Sequence, residues 1–137
     1  LITYGIEGYR SGNSGNNTLI NKSKNFLDEI KINQEAENHS IIENPIEIPS
    51  GKFLNWRSNK RRIIPIYITS SKWKHAIDDA IKRNKVVHLW THPHNFITGN
   101  KQYKLLSNIL EYASDAIHNK KMINLTQKDY CKEVLKQ

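Results

Sequence analysis

The chain has 137 residues and a mass of 16.0 kDa, which limits it to a single domain or part of one. Its 21 Lys and Arg residues exceed its 13 Asp and Glu residues, giving a formal net charge of +8 and a pI near 9.6. The lone Cys131 excludes an internal disulfide, and no apolar run reaches the length of a membrane span. Neither the cytoplasm nor the cell envelope is excluded.

The basic balance attracts polyanions such as nucleic acid, acidic lipid or acidic polysaccharide. The charge is scattered, however, in a chain that is also rich in Asn, Lys and Ile, a joint bias typical of AT-rich genomes. The densest basic cluster, at residues 57–62, is expected to form a solvated loop rather than a nucleic-acid patch. We therefore do not expect nucleic acid as the main partner.

The beginning of the chain predicts a short strand at residues 1–4 and a Gly/Asn/Ser loop at 11–17. Arg10 ends the extended segment before that loop, and it either reaches over a cleft or is simply exposed at a strand end. Residues 18–32 predict a helix with a thin apolar stripe. Because the chain opens inside a strand, we expect it to be the C-terminal piece of a longer protein.

The middle of the chain predicts extended structure. Residues 38–49 are broken by two prolines and predict strand fragments or an extended loop, and residues 63–68 predict another extended segment around Pro65. Between them, residues 50–57 predict a turn with two aromatic side chains. One of these, Trp56, either stacks on a sugar ring or fills the core.

The second half predicts alternating helices and strands. Ser70 and Ser71 predict the N-cap of a helix that ends near Asn84, followed with almost no loop by a strand over 85–91. A connection that short is typical of a parallel α/β unit. The buried stripe of this helix is expected to consist of Trp73, Ala76, Ile77, Ala80 and Ile81.

A second amphipathic helix is predicted over 101–118, a short strand over 121–125, and a final helix capped by Thr126. The order of helix, strand, helix, strand and helix after residue 70 predicts an α/β protein, with 1–137 forming one partial domain. The second helix is expected to bury Leu105, Leu106, Ile109, Leu110, Ala113, Ala116 and Ile117.

Segment 86–96 begins as a β-branched apolar run and contains three of the six histidines of the chain. Alternate side chains of a strand share a face, so His88, Trp90 and His92 are expected together. Pro93 ends strand pairing because it has no N–H. A single histidine in a strand is more often an ordinary core or surface residue, but three so close together favour a functional role.

Beyond the proline, His94 and Asn95 are expected on a loop at the strand end, where α/β enzymes build active sites. His88 and His92 have the spacing of a helical zinc site, but on a strand they lie about 13 Å apart, too far for one metal ion. His92 and His94 can approach each other if the chain turns at Pro93. A carboxylate partner must come from elsewhere in the fold or from missing chain.

Residues 88–96, His-Leu-Trp-Thr-His-Pro-His-Asn-Phe, resemble the late histidine motif of the polysaccharide deacetylase family. This family has the chitooligosaccharide deacetylase homology domain and includes carbohydrate esterase family 4. Residues 5–11 are similar to the arginine segment of the family, and residues 48–54 to a segment found between the two motifs in one bacterial branch. The resemblance extends from the first predicted strand to the C-terminal end.

The resemblance implies the C-terminal part of a distorted, incomplete (β/α) barrel that hydrolyses N- or O-acetyl groups on a polysaccharide or oligosaccharide. It also implies a divalent metal, typically zinc, held by one Asp and two His, which polarises the acetyl carbonyl and activates a water. His92 matches the catalytic histidine that protonates the leaving group, and Arg10 matches the arginine that orients a catalytic Asp. The implied substrate-binding residues are Trp90, Trp56, His94, His88 and Asn95.

The chain departs from the family pattern in two ways. The paired-Asp and metal-binding His motifs of the family lie upstream of the arginine segment, so the metal ligands are expected in a missing N-terminal half, and this chain is expected to be inactive alone. The usual arginine–x–proline sequence is here Arg10-Ser11-Gly12. The alternatives are a non-catalytic carbohydrate-binding module that uses the Trp and His residues and, with less support, a basic nucleic-acid-binding module.

Overall fold

The structure is a computed structural model, and it describes residues 8–10, 28, 30–39, 45–55 and 57–136. The predictions for 1–4, for 11–17, for most of 18–32 and for the side chain of Trp56 lie outside the described residues. The described part combines α-helices with short parallel strands and is a mixed α/β structure. Within it, no helix combines the length and the apolar character needed to cross a membrane.

The described strands are β1 (Gly8–Arg10), β2 (Ile46–Ile48), β3 (Lys52–Phe53) and β4 (Leu89–Trp90). β1 pairs with β2 and β3 with β4, both in parallel, and Phe53 is the register partner of Trp90. The parallel strand predicted over 85–91 is therefore confirmed only at β4, and Val86 instead forms an isolated antiparallel bridge with Glu37. These two pairs do not close into a barrel among the described residues.

Helix α1 (Ile66–Arg83) connects β3 to β4, and the three elements form a parallel βαβ unit. The helix begins directly after Pro65, whose φ of −58° is already close to the helical value. The predicted N-cap at Ser70 is wrong, because the helix starts four residues before it. The extended segment predicted for 63–68 is present only at Ile64 and Pro65. The helix ends at Asn84, which adopts the left-handed conformation with φ 50°.

Residues 57–62 form the predicted solvated segment only in part, at the exposed Lys60 and Arg62. A 3₁₀ helix occupies Asn59–Ile63, and the side chain of Arg57 before it is only 7% exposed. The guanidinium of Arg57 donates hydrogen bonds to the carbonyl oxygens of Arg62, at 3.2 Å, and of Ile64. The prediction was wrong at Arg57 because carbonyl groups of the same loop replace the water that a buried guanidinium would lose.

Helix α2 (Asn100–His118) packs against α1 and confirms the second predicted amphipathic helix. Leu110 and Ile117, which the periodicity placed on the buried face, are instead 54% and 37% exposed. The predicted apolar stripe is wider than the strip that α1 covers, so its edges face solvent. The main core consists of Leu54, Trp73, Ile77, Leu105, Ile109 and Ala116.

The strand predicted over 121–125 is absent, and Ile123 in this segment is 71% exposed. No described strand pairs with the segment, so an extended backbone gains no ladder there. Thr126 does cap the last helix, α3 (Gln127–Val134): its side chain accepts a hydrogen bond from the N–H of Asp129. α3 packs on β2 in a second core of Ile46, Ile48, Cys131 and Val134.

Candidate functional site

The histidine segment is held in place by its backbone. The carbonyl oxygens of His88 and Trp90 accept hydrogen bonds from the N–H groups of Lys52 and Leu54, at 2.8 and 2.9 Å. The backbone is still extended at His92, with φ −94° and ψ 140°, and a 3₁₀ helix then runs over Pro93–Thr98. The extended backbone therefore continues through His92 and ends at Pro93, as the sequence predicts.

Five side chains come together beside β4, and we refer to Arg10, Phe53, Trp90, His92 and His94 as the ring cluster. The Cζ atom of Arg10 lies 4.7 Å from the centre of the Trp90 indole. The ring centres of Phe53 and Trp90 are 4.5 Å apart, and those of Trp90 and His92 are 5.4 Å apart in an edge-to-face arrangement. His92 and His94 stack with their centres 5.0 Å apart.

The ring cluster has a solvent-facing side and a protein-facing side. Arg10, His92 and His94 are exposed, whereas Phe53 and Trp90 are half-buried between them and the core. The indole N–H of Trp90 is buried and has no hydrogen-bond partner among the described residues. A cationic group, two imidazoles and the edge of an apolar surface are therefore presented to solvent together, a combination suited to a polar ligand with an apolar substituent.

His88 and Asn95, two of the expected substrate-binding residues, are turned into the protein. Nδ1 of His88 lies 2.9 Å from the carbonyl oxygen of Pro49, a pairing that places the proton on Nδ1. Asn95 is 1% exposed, and its amide donates to the Thr91 hydroxyl, which donates to the carbonyl oxygen of Leu54. In this geometry Asn95 fixes the loop that carries the histidines instead of facing a ligand.

The histidines of the segment are arranged for packing and main-chain contacts. No group of three or more His, Cys, Asp or Glu side chains in the described part could hold an ion. His92 and His94 lie almost parallel, at 12°, so their lone pairs, which lie in the ring planes, run side by side instead of converging on one point. His88 uses Nδ1 for the main chain, and these three imidazoles are thus not a ligand set.

Charged groups fix β3 on the side away from the rings. The Glu37 carboxylate accepts a hydrogen bond from the N–H of Gly51, with both oxygens at 3.1 Å, and the Lys52 ammonium donates to the carbonyl oxygen of Glu35. Burial lowers the pKa of Lys52, although Glu37, Glu35 and Asp79 oppose that change. These contacts hold Phe53, the next residue of β3, against Trp90.

The sequence-based candidates divide into three groups. The structure brings Arg10, Trp90, His92 and His94 together, turns His88 and Asn95 inward, and does not describe Trp56. Phe53 was missed as a candidate, and only the register of β3 against β4 reveals its place beside Trp90. No protein-family model, no curated protein and no solved structure matches this chain, so the geometry of the ring cluster is the main guide to function.

Proposed function

We propose that this chain is the C-terminal part of a carbohydrate deacetylase of the polysaccharide deacetylase type, in which His92 is the acid that protonates the leaving group. The observation that carries the proposal is the ring cluster itself. Arg10 and Trp90 are far apart along the chain, and both resemble residues that the family places in one site. Their 4.7 Å contact, with the His92 ring also in contact with the indole, supports that common site.

Each member of the cluster has a role in the proposal. His92 is exposed at the strand end, where it can reach a sugar amine or hydroxyl as the acetyl group leaves. Trp90 and Phe53 provide the apolar wall for the acetyl methyl group. Arg10 lies against that wall and is the candidate for orienting a carboxylate from another part of the domain. The substrate is an acetylated polysaccharide or oligosaccharide.

The divalent metal of the family is not assigned to the described residues, since their imidazoles do not converge. Its Asp and His ligands are assigned to polypeptide N-terminal to the arginine segment, within the incomplete (β/α) barrel that the family implies. The histidines described here would then belong to the acid and substrate side of the site. We expect the 137-residue chain alone to release no acetate, even with zinc added.

The test is acetate release from an acetylated chitooligosaccharide by the product of the full reading frame. We expect His92→Ala to lower turnover by about 10²-fold or more, as is usual for loss of a general acid. The control is His118→Ala, which removes an exposed histidine at the end of α2 and should leave turnover unchanged. Full activity in His92→Ala contradicts the role of His92 as the acid. Acetate release by the 137-residue chain contradicts the assignment of the metal ligands to polypeptide N-terminal to the arginine segment.

A non-catalytic glycan-binding module is the second candidate, because an aromatic surface continues beyond the ring cluster. Phe96 and Tyr103 pack with their ring centres 5.0 Å apart, Tyr103 is 59% exposed, and the neighbouring Ile97 is 83% exposed. Exposed aromatic faces of this kind can stack on sugar rings. Glycan affinity that falls in Tyr103→Ala, with no acetate release from the full reading frame, favours the binding module over the enzyme.

A further inference from the structure

A second candidate site lies between the beginnings of α1 and α2. An open cavity of about 520 Å³ is formed there by the chain around the 3₁₀ helix and by the N-terminal halves of both helices. It shares no lining residue with the ring cluster. Five cationic side chains line it: Arg57, Arg62, Lys74, Lys101 and Lys104.

The cavity concentrates positive charge without compensating carboxylates. No described residue that lines it is Asp or Glu, and within the described part of the chain Arg62, Lys101 and Lys104 form no ion pair. Like charges that converge on one concave space repel one another and attract an anion strongly. The first turns of α1 and α2 add the positive ends of two helix dipoles in the same place.

Arg57 gives this cavity a rigid side. Its guanidinium is buried and bonded to carbonyl oxygens of its own loop, so it contributes charge from a fixed position. The backbone N–H of Arg57 also donates to Oε1 of Gln102, at 3.2 Å, which ties the loop to the first turn of α2. Lys101 and Lys104 on α2 are exposed and face the cavity, so their ammonium groups can adjust to a ligand.

Both apolar and polar side chains line the cavity beside its cations. Tyr67 and Ile63 are 68% and 76% exposed there, and they offer apolar contact area for a ring. Ser71 and Asn108 supply a hydroxyl and an amide beside the cations. A ligand that combines one or two phosphate groups with a ring matches both parts of the lining.

We propose that this cavity binds an organic phosphate, with its phosphate groups between Arg62, Lys101 and Lys104 and its ring against Tyr67. Two sources share this chemistry, a nucleoside diphosphate and a sugar phosphate. A nucleic-acid strand fits the geometry less well, because the cations converge on one pocket of small-ligand size, whereas a strand needs phosphate contacts along an extended track. The site is independent of the proposed deacetylase function.

The experiment is calorimetric titration of the 137-residue chain with uridine diphosphate, glucose 1-phosphate and inorganic pyrophosphate, at an ionic strength of about 0.15 M. Lys101→Gln with Lys104→Gln should weaken binding at least about tenfold, since two charge-assisted contacts are lost. The charge-matched control is Lys82→Gln with Lys128→Gln, two exposed lysines that do not line the cavity; it should change affinity by less than about twofold. Circular dichroism of both double variants should match that of the wild type.

The three ligands separate the possible sources. Tighter binding of uridine diphosphate than of glucose 1-phosphate assigns a nucleoside diphosphate, and the reverse order assigns a sugar phosphate. Tyr67→Ala should weaken the organic phosphates and leave pyrophosphate binding unchanged. The proposal is overturned if none of the three ligands binds, or if both double variants weaken binding equally. It is also overturned if a single-stranded RNA binds through Lys101 and Lys104 while the small phosphates do not.

Discussion

The guanidinium of Arg10 lies over the indole of Trp90, with Cζ 4.7 Å from the ring centre. Arg10 ends β1 and Trp90 ends β4, so this contact joins the two separate pairs of parallel strands. The same indole also contacts the His92 ring in an edge-to-face arrangement. The position of Arg10 thus affects both the association of the strand pairs and the setting of the proposed acid.

Replacing Arg10 by Met should lower the free energy of unfolding by about 0.5–1 kcal/mol, because the cation–π contact is lost while the aliphatic part of the side chain is kept. Urea denaturation measures this change. Trp90→Leu, which removes the aromatic face, and the double variant complete a mutant cycle, in which the two substitutions should couple by a similar amount. Strictly additive effects of the two substitutions are the outcome that argues against the contact.

Leu105 and Leu110 provide a matched test of the packing of α2. Leu105 is 1% exposed in the main core, whereas Leu110 on the same helix is 54% exposed. Leu105→Ala should cost about 2–5 kcal/mol of unfolding free energy, because it removes buried methyl groups and leaves a cavity. Leu110→Ala should cost no more than about 0.5 kcal/mol, since an exposed leucine loses little on truncation. Similar losses in the two variants contradict the packing described here.

Gly51 allows β3 to lie close to β4. Its φ is +77°, and a Cβ atom at this position would lie 2.7 Å from Cγ of His88 and 2.8 Å from the His88 carbonyl oxygen. Gly51→Ala should therefore lower the unfolding free energy by at least about 1 kcal/mol, the cost of a left-handed non-glycine residue alone. Chemical denaturation measures the loss.

Hydrogen exchange locates the damage that Gly51→Ala causes. The amides of Lys52 and Leu54, which bond to β4, should exchange faster in the variant, while the amides of α2 serve as the internal control and should be unchanged. If Gly51→Ala is as stable as the wild type and exchange at those two amides is unchanged, the close approach of β3 and β4 is contradicted.

Asp79 should make stability depend on acidic pH. Its carboxylate accepts the N–H of Ala36 at 2.9 Å, and this hydrogen bond, aided by Arg83, holds the pKa of Asp79 below its ordinary value. The resulting stabilisation is fully present above the unfolded-state pKa of about 3.9 and is lost as the pH falls through the lower folded-state pKa. The wild type should therefore be more stable than Asp79→Asn at neutral pH, and the difference should shrink in acid.

Thermal unfolding of the wild type and of Asp79→Asn between neutral and acidic pH measures this difference in stability. Asp115→Asn, which removes the same charge from an exposed position on α2, is the control and should not reproduce the dependence. A stability gap between wild type and Asp79→Asn that stays constant throughout that pH range disagrees with the carboxylate being the stabilising form.

The sequence alone determined the features that depend on near neighbours along the chain. The periodicity of Trp73, Ala76 and Ile77 located the buried face of α1, and Thr126 marked the start of α3. The β-branched run before Pro93 predicted the extended histidine segment. Each of these follows from helix geometry, a local hydrogen bond or a missing N–H, all of which act within a few residues.

Only the tertiary structure decided which of those elements find a partner. Leu110 is exposed because α1 does not reach it, and residues 121–125 form no strand because no described strand pairs with them. Arg57 is buried, and not solvated as predicted, because its own loop provides carbonyl acceptors. In this position it lines the basic cavity. Burial and strand pairing depend on surfaces contributed by distant residues, and periodicity within one segment carries no information about those surfaces.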